Sequence, residues 1–213
     1  MDIKLILQII GVVLGLLYLW LEYKANIWLW VVGMLMPCVH CVLYYQKGIY
    51  ADCAMQLYYI LAGLYGLTMW LLGRKNTKRP LKIAHTPCRL IAPLVAVYIV
   101  LHAAIYFLLV RFTDSTVPFW DSMTTAMSML AMWLLARKYM EQWLIWLVVD
   151  AITVGLYIYK GIPLTAGLYT LYTALALIGY LRWRKVYKSE NIEGGSEAFL
   201  EWTNTTFCSK SDR

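Results

Sequence analysis

Charged side chains are scarce in this sequence: Asp, Glu, Lys and Arg make up 15% of its 213 residues, whereas 62% are hydrophobic. About a quarter of a typical soluble domain is charged, so this composition excludes an ordinary soluble fold. The hydrophobic residues also stand in long blocks rather than in short amphipathic stripes. The net charge of +7 comes from basic residues between those blocks. The positive-inside rule explains them, and we therefore expect no nucleic-acid partner.

Histidine and cysteine are also rare, with three and five residues. Cys38 and Cys41 form a CxxC motif inside a hydrophobic block, and no second ligand pair follows at the spacing that zinc needs. We therefore predict no metal site and no cofactor. The absence of a histidine cluster, a nucleophile–base pair and a phosphate-binding loop indicates that the chain is not an enzyme. The last hydrophobic block has no central lysine for a retinal Schiff base, which excludes a photoreceptor.

Blocks of about 20 apolar residues, the length that crosses a bilayer core, occur seven times. They predict an all-α integral membrane protein with transmembrane helices at 3–22, 27–46, 50–73, 91–112, 119–136, 142–160 and 163–181. Thirteen basic residues fall on one side of these helices and four on the other. The positive-inside rule then places the N-terminus outside and the C-terminus in the cytoplasm of a multi-pass inner-membrane protein. We predict one transmembrane domain over 1–188 and a mobile cytoplasmic tail over 189–213.

The sequence matches itself at a shift of 113 residues over predicted helices 2–3 and 6–7. The identities include Trp30/Trp143, Tyr59/Tyr172, Gly66/Gly179 and Trp70/Trp183. Helix 1 is then the remaining helix of the first repeat and helix 5 that of the second, and helix 4 belongs to neither repeat. We predict two parallel three-helix repeats, at 3–73 and 119–183, joined by a linker helix at 91–112. Equivalent helices are four crossings apart, so both repeats enter the membrane in the same sense, as in some small transporters.

Asp150 lies near the middle of predicted helix 6, where an ionised carboxylate costs about 3 kcal/mol unless it is paired or hydrated. The spacings of three and four place Trp143, Trp146, Thr153 and Tyr157 on the same helix face. Asp150 and Trp146 together offer a negative charge and an aromatic plane, which suit a flat cationic ligand. The alternative is a structural carboxylate that is hydrogen-bonded to a neighbouring helix.

The equivalent helices of the two repeats complete the predicted substrate-binding set. Helix 3 contributes Gln56, a neutral donor and acceptor, and Tyr59, while helix 7 contributes Tyr172. All three lie on polar and aromatic helix faces. Because such faces cannot all be exposed to lipid, we expect them to face the interior of the helix bundle. Gly66 and Gly179 share these faces, and we predict that they are close-packing positions between helices.

Several motifs in order resemble the Pnu vitamin transporters over roughly residues 5–185. They are Pro118-Phe119-Trp120-Asp121-Ser122, Arg137-Lys138-Tyr139, the pair Trp146 and Asp150, and Gln56 with Tyr65-Gly66 and Trp70. The resemblance implies a three-plus-one-plus-three helix fold related to the SWEET sugar transporters. It also implies facilitated diffusion of a vitamin precursor that a cytoplasmic kinase traps. Trp146 would stack on the ligand, while residue 150 and Gln56 would hydrogen-bond it.

The nicotinamide riboside branch, PnuC, is the default assignment within this family, but one residue departs from it. That branch is expected to have Asn where this chain has Asp150. A carboxylate suits the pyridinium of nicotinamide riboside and the thiazolium of thiamine, the substrate of the PnuT branch, so both vitamins stay open. A membrane receptor or assembly protein without transport is the alternative from another class. Proton coupling, affinity, rate and homo-oligomer formation are left open.

Overall fold

The computed structural model describes residues 3–46, 50–75, 81–113, 115–159, 161 and 163–208, and within these ranges it contains seven α-helices and no named β-strand. The helices are α1 (Ile3–Tyr23), α2 (Trp28–Gln46), α3 (Tyr50–Lys75), α4 (Cys88–Phe112), α5 (Pro118–Ala136), α6 (Gln142–Tyr159) and α7 (Pro163–Cys208). The predicted number of helices is therefore confirmed. By length and composition alone, two helices in the described ranges are apolar enough to cross a membrane, namely α4 and α6.

Two helix ends lie three or more residues from the ends of the predicted membrane spans. α4 begins at Cys88, three residues before the predicted start, and α7 runs to Cys208 instead of ending at 181. Hydropathy marks where a chain leaves the bilayer, whereas Arg, Lys and Glu favour helix as much as apolar residues do. The charged segment after 181 therefore continues the helix. The mobility predicted for 189–213 stays a prediction, and 209–213 lie outside the described residues.

The helices form a bundle with one peripheral member. α2 packs on α3, α6 packs on α7, and α1 contacts both α2 and α7. α5 lies between α3, α4 and α6. In the described part of the chain, α4 contacts no helix other than α5 and has no buried residue. The core therefore lies among the other six helices.

The turns that join α1 to α2 and α5 to α6 have the same conformation. Each contains one non-glycine residue with positive φ, Ala25 at 50° and Lys138 at 55°, and these residues are 113 positions apart. The backbone N–H of Ala25 donates to the carbonyl of Glu22, and that of Lys138 donates to the carbonyl of Leu135, each at 2.9 Å. The sequence match did not reach these turns, yet their geometry follows the same shift.

Two tryptophan pairs at the same shift also pack alike. The rings of Trp30 and Trp70 lie 5.8 Å apart at 88°, and those of Trp143 and Trp183 lie 5.9 Å apart at 84°. All four side chains are buried. Edge-to-face packing of this kind places the positive ring edge against the negative face of its partner.

The second tryptophan of each pair fastens the two halves of the chain together. The indole N–H of Trp70, on α3, donates to the carbonyl of Leu135 on α5 at 3.4 Å. The indole N–H of Trp183, on α7, donates to the carbonyl of Glu22 on α1 at 3.2 Å. Leu135 and Glu22 are again 113 positions apart, so the two bonds are reciprocal.

The glycines predicted to be close-packing positions touch the first tryptophan of each pair. A Cβ atom on Gly66 would overlap the indole ring of Trp30. A Cβ atom on Gly179 would lie 2.6 Å from the indole ring of Trp143. Their predicted close packing is confirmed.

Residues 84–86, between α3 and α4, are hydrogen-bonded to the α5–α6 turn, and we call this contact the clip. The backbone N–H and the hydroxyl of Thr86 donate to Glu141 Oε2 at 2.9 and 2.7 Å, and His85 Nδ1 lies 2.7 Å from Glu141 Oε1. An isolated parallel β-bridge between Ala84 and Tyr139 adds backbone hydrogen bonds. Burial raises the pKa of the Glu141 carboxyl, but the hydrogen bonds from Thr86 and His85 outweigh burial and hold that pKa below its ordinary 4.5.

Candidate functional site

A cavity of about 290 Å³ lies between α5, α6 and α7, with Tyr59 of α3 at its edge. We call it the polar cavity, because carboxylates and hydroxyl groups form much of its wall. Its lining includes Asp121, Thr124, Thr125 and Ser128 from α5, Trp146, Asp150, Thr153 and Tyr157 from α6, and Tyr169 from α7. The spacings of three and four along α5 and α6 turn these side chains to one side of each helix.

The Asp150 carboxyl is enclosed by the polar cavity and is only 7% exposed. No side chain in the described ranges forms a hydrogen bond or an ion pair with it. The alternative of a structural carboxylate bonded to a neighbouring helix therefore has no support in those ranges. A buried carboxylate without a partner favours a cation strongly, since the surrounding dielectric is low. No group of three His, Cys, Asp or Glu side chains in the same ranges is arranged to hold a metal ion.

Aromatic rings form the remaining wall of the polar cavity. The rings of Tyr157 and Tyr169 stack at 5.4 Å and 21°. Trp146 and Tyr59 lie on the other side, toward the first half of the chain. The indole N–H of Trp146 is buried and has no hydrogen-bond partner in the described part of the chain. Flat faces and an unused donor are thus available close to Asp150.

A second cavity, of about 400 Å³, occupies the equivalent place in the first half of the chain. We call it the apolar cavity. Six of its lining residues correspond to residues of the polar cavity at the shift of 113: Gly15/Ser128, Gly33/Trp146, Met36/Val149, Pro37/Asp150, His40/Thr153 and Gln56/Tyr169. Trp146 and Tyr59 line both cavities and separate them. The two halves therefore form equivalent cavities, and among the described side chains only the second cavity carries carboxylates.

The structure brings four of the six predicted site residues to these cavities. Trp146, Asp150 and Tyr59 line the polar cavity, while Gln56 lines the apolar cavity across the partition.

The other two predicted site residues line neither of them. Trp143 packs against Trp183 and Gly179 in the core. Tyr172 stands edge-to-face with Tyr169 at 5.6 Å, and its hydroxyl reaches toward Gly15 of α1.

Several cavity residues were not among the predicted site residues. Asp121, Thr125 and Ser128 recur at spacings of four and three on α5, which was a visible signal of a shared face. Thr124, three residues after Asp121 and four before Ser128, fits the same spacing and also lines the polar cavity. Spacing along one helix cannot show that this face of α5 borders α6.

Comparison with known proteins finds one family over most of the chain. The sequence pattern of the nicotinamide mononucleotide transporter family matches residues 5–185. Among curated proteins, the nicotinamide riboside transporter PnuC of Escherichia coli is 25% identical over 201 residues, covering 83% of this chain and 84% of that protein. The nicotinamide riboside transporter PnuC of Neisseria mucosa is 24% identical over 191 residues, covering 84% of this chain and 72% of that protein.

The fold also has a counterpart among solved structures. A crystal structure of the vitamin B3 transporter PnuC superposes with a TM-score of 0.63 at 24% sequence identity. The match covers 84% of this chain and 80% of the other. The two chains therefore share a fold over most of their length.

Proposed function

This chain belongs to the nicotinamide mononucleotide transporter family, that of the Pnu transporters, and on that premise we propose that it carries nicotinamide riboside into the cell by facilitated diffusion. The family consists of transporters, so the chain is a multi-pass inner-membrane transporter and not an enzyme. A cytoplasmic kinase would trap the riboside by phosphorylation, because the added charge prevents its return. Flux would then follow the gradient of the free vitamin, without a coupling ion.

The observation that carries the proposal is the carboxyl of Asp150, which has no partner among the described side chains and lies beside the ring of Trp146 in the polar cavity. The pyridinium ring of nicotinamide riboside is flat and positively charged, so it can stack on an indole and pair with a carboxylate. The hydroxyl groups of Thr125 and Thr153 supply hydrogen-bonding partners for a ribose. Tyr59 would border the site on the side of the apolar cavity. Gln56 lines that cavity and would hydrogen-bond a ligand that extends past Trp146 and Tyr59 into it.

We further propose that the helices form two parallel three-helix repeats, α1–α3 and α5–α7, with α4 as the linker. The matched turns, the two tryptophan pairs and the two equivalent cavities support this arrangement. The basic residues support an N-terminus outside and a C-terminus in the cytoplasm. Residues 1–188 would form the transport domain, and 189–213 would lie on the cytoplasmic side.

Thiamine is the second candidate substrate, and Asp150 is the residue that favours it. The thiazolium of thiamine is a flat cation, and its aminopyrimidine carries donor groups that a carboxylate accepts better than an asparagine does. A ligand with two rings would also place its second ring in the apolar cavity on the far side of Trp146. The riboside stays the first candidate, because the curated relatives carry that name.

Binding of nicotinamide riboside and thiamine to the purified protein, measured side by side by calorimetry, tests the proposal. We expect saturable binding of the riboside, with flux of the same compound into proteoliposomes. Tighter binding of thiamine than of the riboside would identify thiamine as the substrate instead. Binding without flux would indicate the receptor or assembly protein instead. Uptake that persists when the proton gradient is collapsed would support facilitation, whereas a strong loss would show proton coupling.

A further inference from the structure

A second acidic residue is buried outside both cavities. Glu22 lies in the last turn of α1, and its side chain is 1% exposed. Gln142, the first residue of α6, is 0% exposed and faces the Glu22 carboxyl closely enough to interact with it electrostatically. The proposed topology places both residues toward the cytoplasmic end of the bundle.

Three of the four polar side-chain atoms in this pair have no hydrogen bond in the part of the chain that the structure describes. Glu22 Oε1 and both amide atoms of Gln142 are buried without a hydrogen-bond partner in the described ranges. The amide and the carboxyl lie close enough to attract one another, but the distance and angle between them fall short of a fully formed hydrogen bond. Unpaired buried polar groups are rare in native proteins because they cost free energy, and those that persist call for a specific explanation.

The other half of the chain shows that the fold does not require polar groups at these positions. The residues 113 positions away are Leu135, which corresponds to Glu22, and Leu29, which corresponds to Gln142. Both leucines are 0% exposed and belong to the hydrophobic core. Two apolar side chains thus occupy the equivalent place, so packing alone does not explain the carboxyl and the amide.

The pair lies in line with the polar cavity. Gln142, Trp146 and Asp150 recur at every fourth residue of α6, so they follow one face of that helix. Asp150 lies eight residues after Gln142, which corresponds to about 12 Å along the helix axis. Trp146 stands between them with its unused indole N–H. A row of unpaired polar groups thus leads from the polar cavity to Glu22.

We propose that Glu22, with Gln142 beside it, is a second binding station for the organic cation, which the cation occupies after it leaves Asp150 and before it enters the cytoplasm. This inference rests on the proposed transport of a cation. When the cytoplasmic end opens, the cation pairs with the carboxylate, and its amide or hydroxyl groups bind Gln142. The second carboxylate lowers the barrier to leaving the first, since the cation is never far from a negative charge in a region of low dielectric. Both side chains are buried in this structure, so the station is closed.

Substitution of Glu22 in proteoliposomes tests the inference, with nicotinamide riboside and thiamine as probes. Glu22→Gln removes the charge and keeps the shape, while Glu22→Leu reproduces the side chain at the equivalent Leu135. For the vitamin that the unaltered protein carries, we expect both variants to lower the maximal flux at least tenfold. We also expect the equilibrium dissociation constant to change less than threefold, because Asp150 is intact.

The control is Glu190→Gln, which removes the same charge from the part of α7 beyond the predicted membrane span, where the carboxylate faces Lys138 of the α5–α6 turn and lines neither cavity. It should leave the flux within twofold of the unaltered protein. Full flux in Glu22→Gln and Glu22→Leu would overturn the inference. So would a parallel loss of binding, flux and thermal stability, since that pattern indicates a structural role. Absence of binding and flux in the unaltered protein would instead refute the proposed transport itself.

Discussion

Alanine at Gly66 or Gly179 should destabilise the protein to a similar extent, because each glycine faces an indole ring in an equivalent place. A methyl group on Gly66 overlaps the ring of Trp30, and one on Gly179 comes within 2.6 Å of the ring of Trp143. Neither ring can swing away, since both side chains are 1% exposed. The helices must separate instead, which weakens the edge-to-face contact of each ring with its partner tryptophan.

The expected size follows from two opposing effects. Overpacking of a close helix contact costs about 1–3 kcal/mol. Alanine favours helix over glycine by about 1 kcal/mol, which offsets part of that cost. We therefore expect a net loss of about 1–2 kcal/mol for either variant, and an approximately additive loss for the double variant, because the two sites share no partner.

Thermal unfolding of the purified protein in detergent measures this loss as a fall of several degrees in the midpoint, at about 2–4 °C per kcal/mol. Gly155→Ala is the matched control, because a Cβ atom at that position meets no described atom within 4 Å. It should raise the midpoint slightly or leave it unchanged. Equal midpoints for Gly66→Ala, Gly179→Ala and the control would refute the close packing. A large loss at only one of the two glycines would refute the equivalence of the two halves.

Three further predictions concern the polar cavity and the clip at the α5–α6 turn. Asp150→Ala should weaken substrate binding, measured by calorimetry, at least tenfold, because it removes a charge in a region of low dielectric. Asp150→Asn should shift the preference toward the riboside. Near-normal binding by both variants would show that Asp150 is not part of the site. Trp146→Ala should lose about 1–2 kcal/mol of binding and Trp146→Phe less, whereas equal losses would indicate a packing role. The Glu141 carboxyl has a folded-state pKa below 4.5, so its contribution to stability is complete above that pH and disappears as the pH falls further. Glu141→Gln should therefore lower the unfolding midpoint at neutral pH and reduce its fall under acid, and an unchanged acid response would contradict the clip.

The number and order of the helices could be predicted from the sequence, because each crossing needs its own apolar block. The end of α7 could not, since hydropathy reports the membrane boundary and not the helix boundary. Trp143 illustrates a different limit. It shares the broad face of α6 with Trp146 and Asp150, but only part of that face borders the cavity, and the rest packs on α7.

Glu22 was missed for a further reason. It stands at the end of a hydrophobic block, where a charged residue is ordinary, and nothing in the local sequence distinguishes a buried carboxyl from one that reaches water. Its burial depends on α6 and α7, which are more than a hundred residues away along the chain. The internal match at a shift of 113 residues was visible in the sequence. It identifies Glu22 only when the two halves are compared for differences, because the residue equivalent to Glu22 is Leu135.

The reciprocal bonds from Trp70 to Leu135 and from Trp183 to Glu22 bear on the ancestry of the chain. Each joins the third helix of one half to the first helix of the other, so the indole N–H of each of these tryptophans is satisfied by the opposite half. In a dimer of identical three-helix chains these two bonds would be one bond, made twice by symmetry. A duplicated gene keeps that arrangement only if the second copy enters the membrane in the same sense, which an odd number of helices prevents. In the proposed arrangement of two parallel repeats, the single helix α4, which has no buried residue in the part of the chain that the structure describes, would restore the direction of insertion.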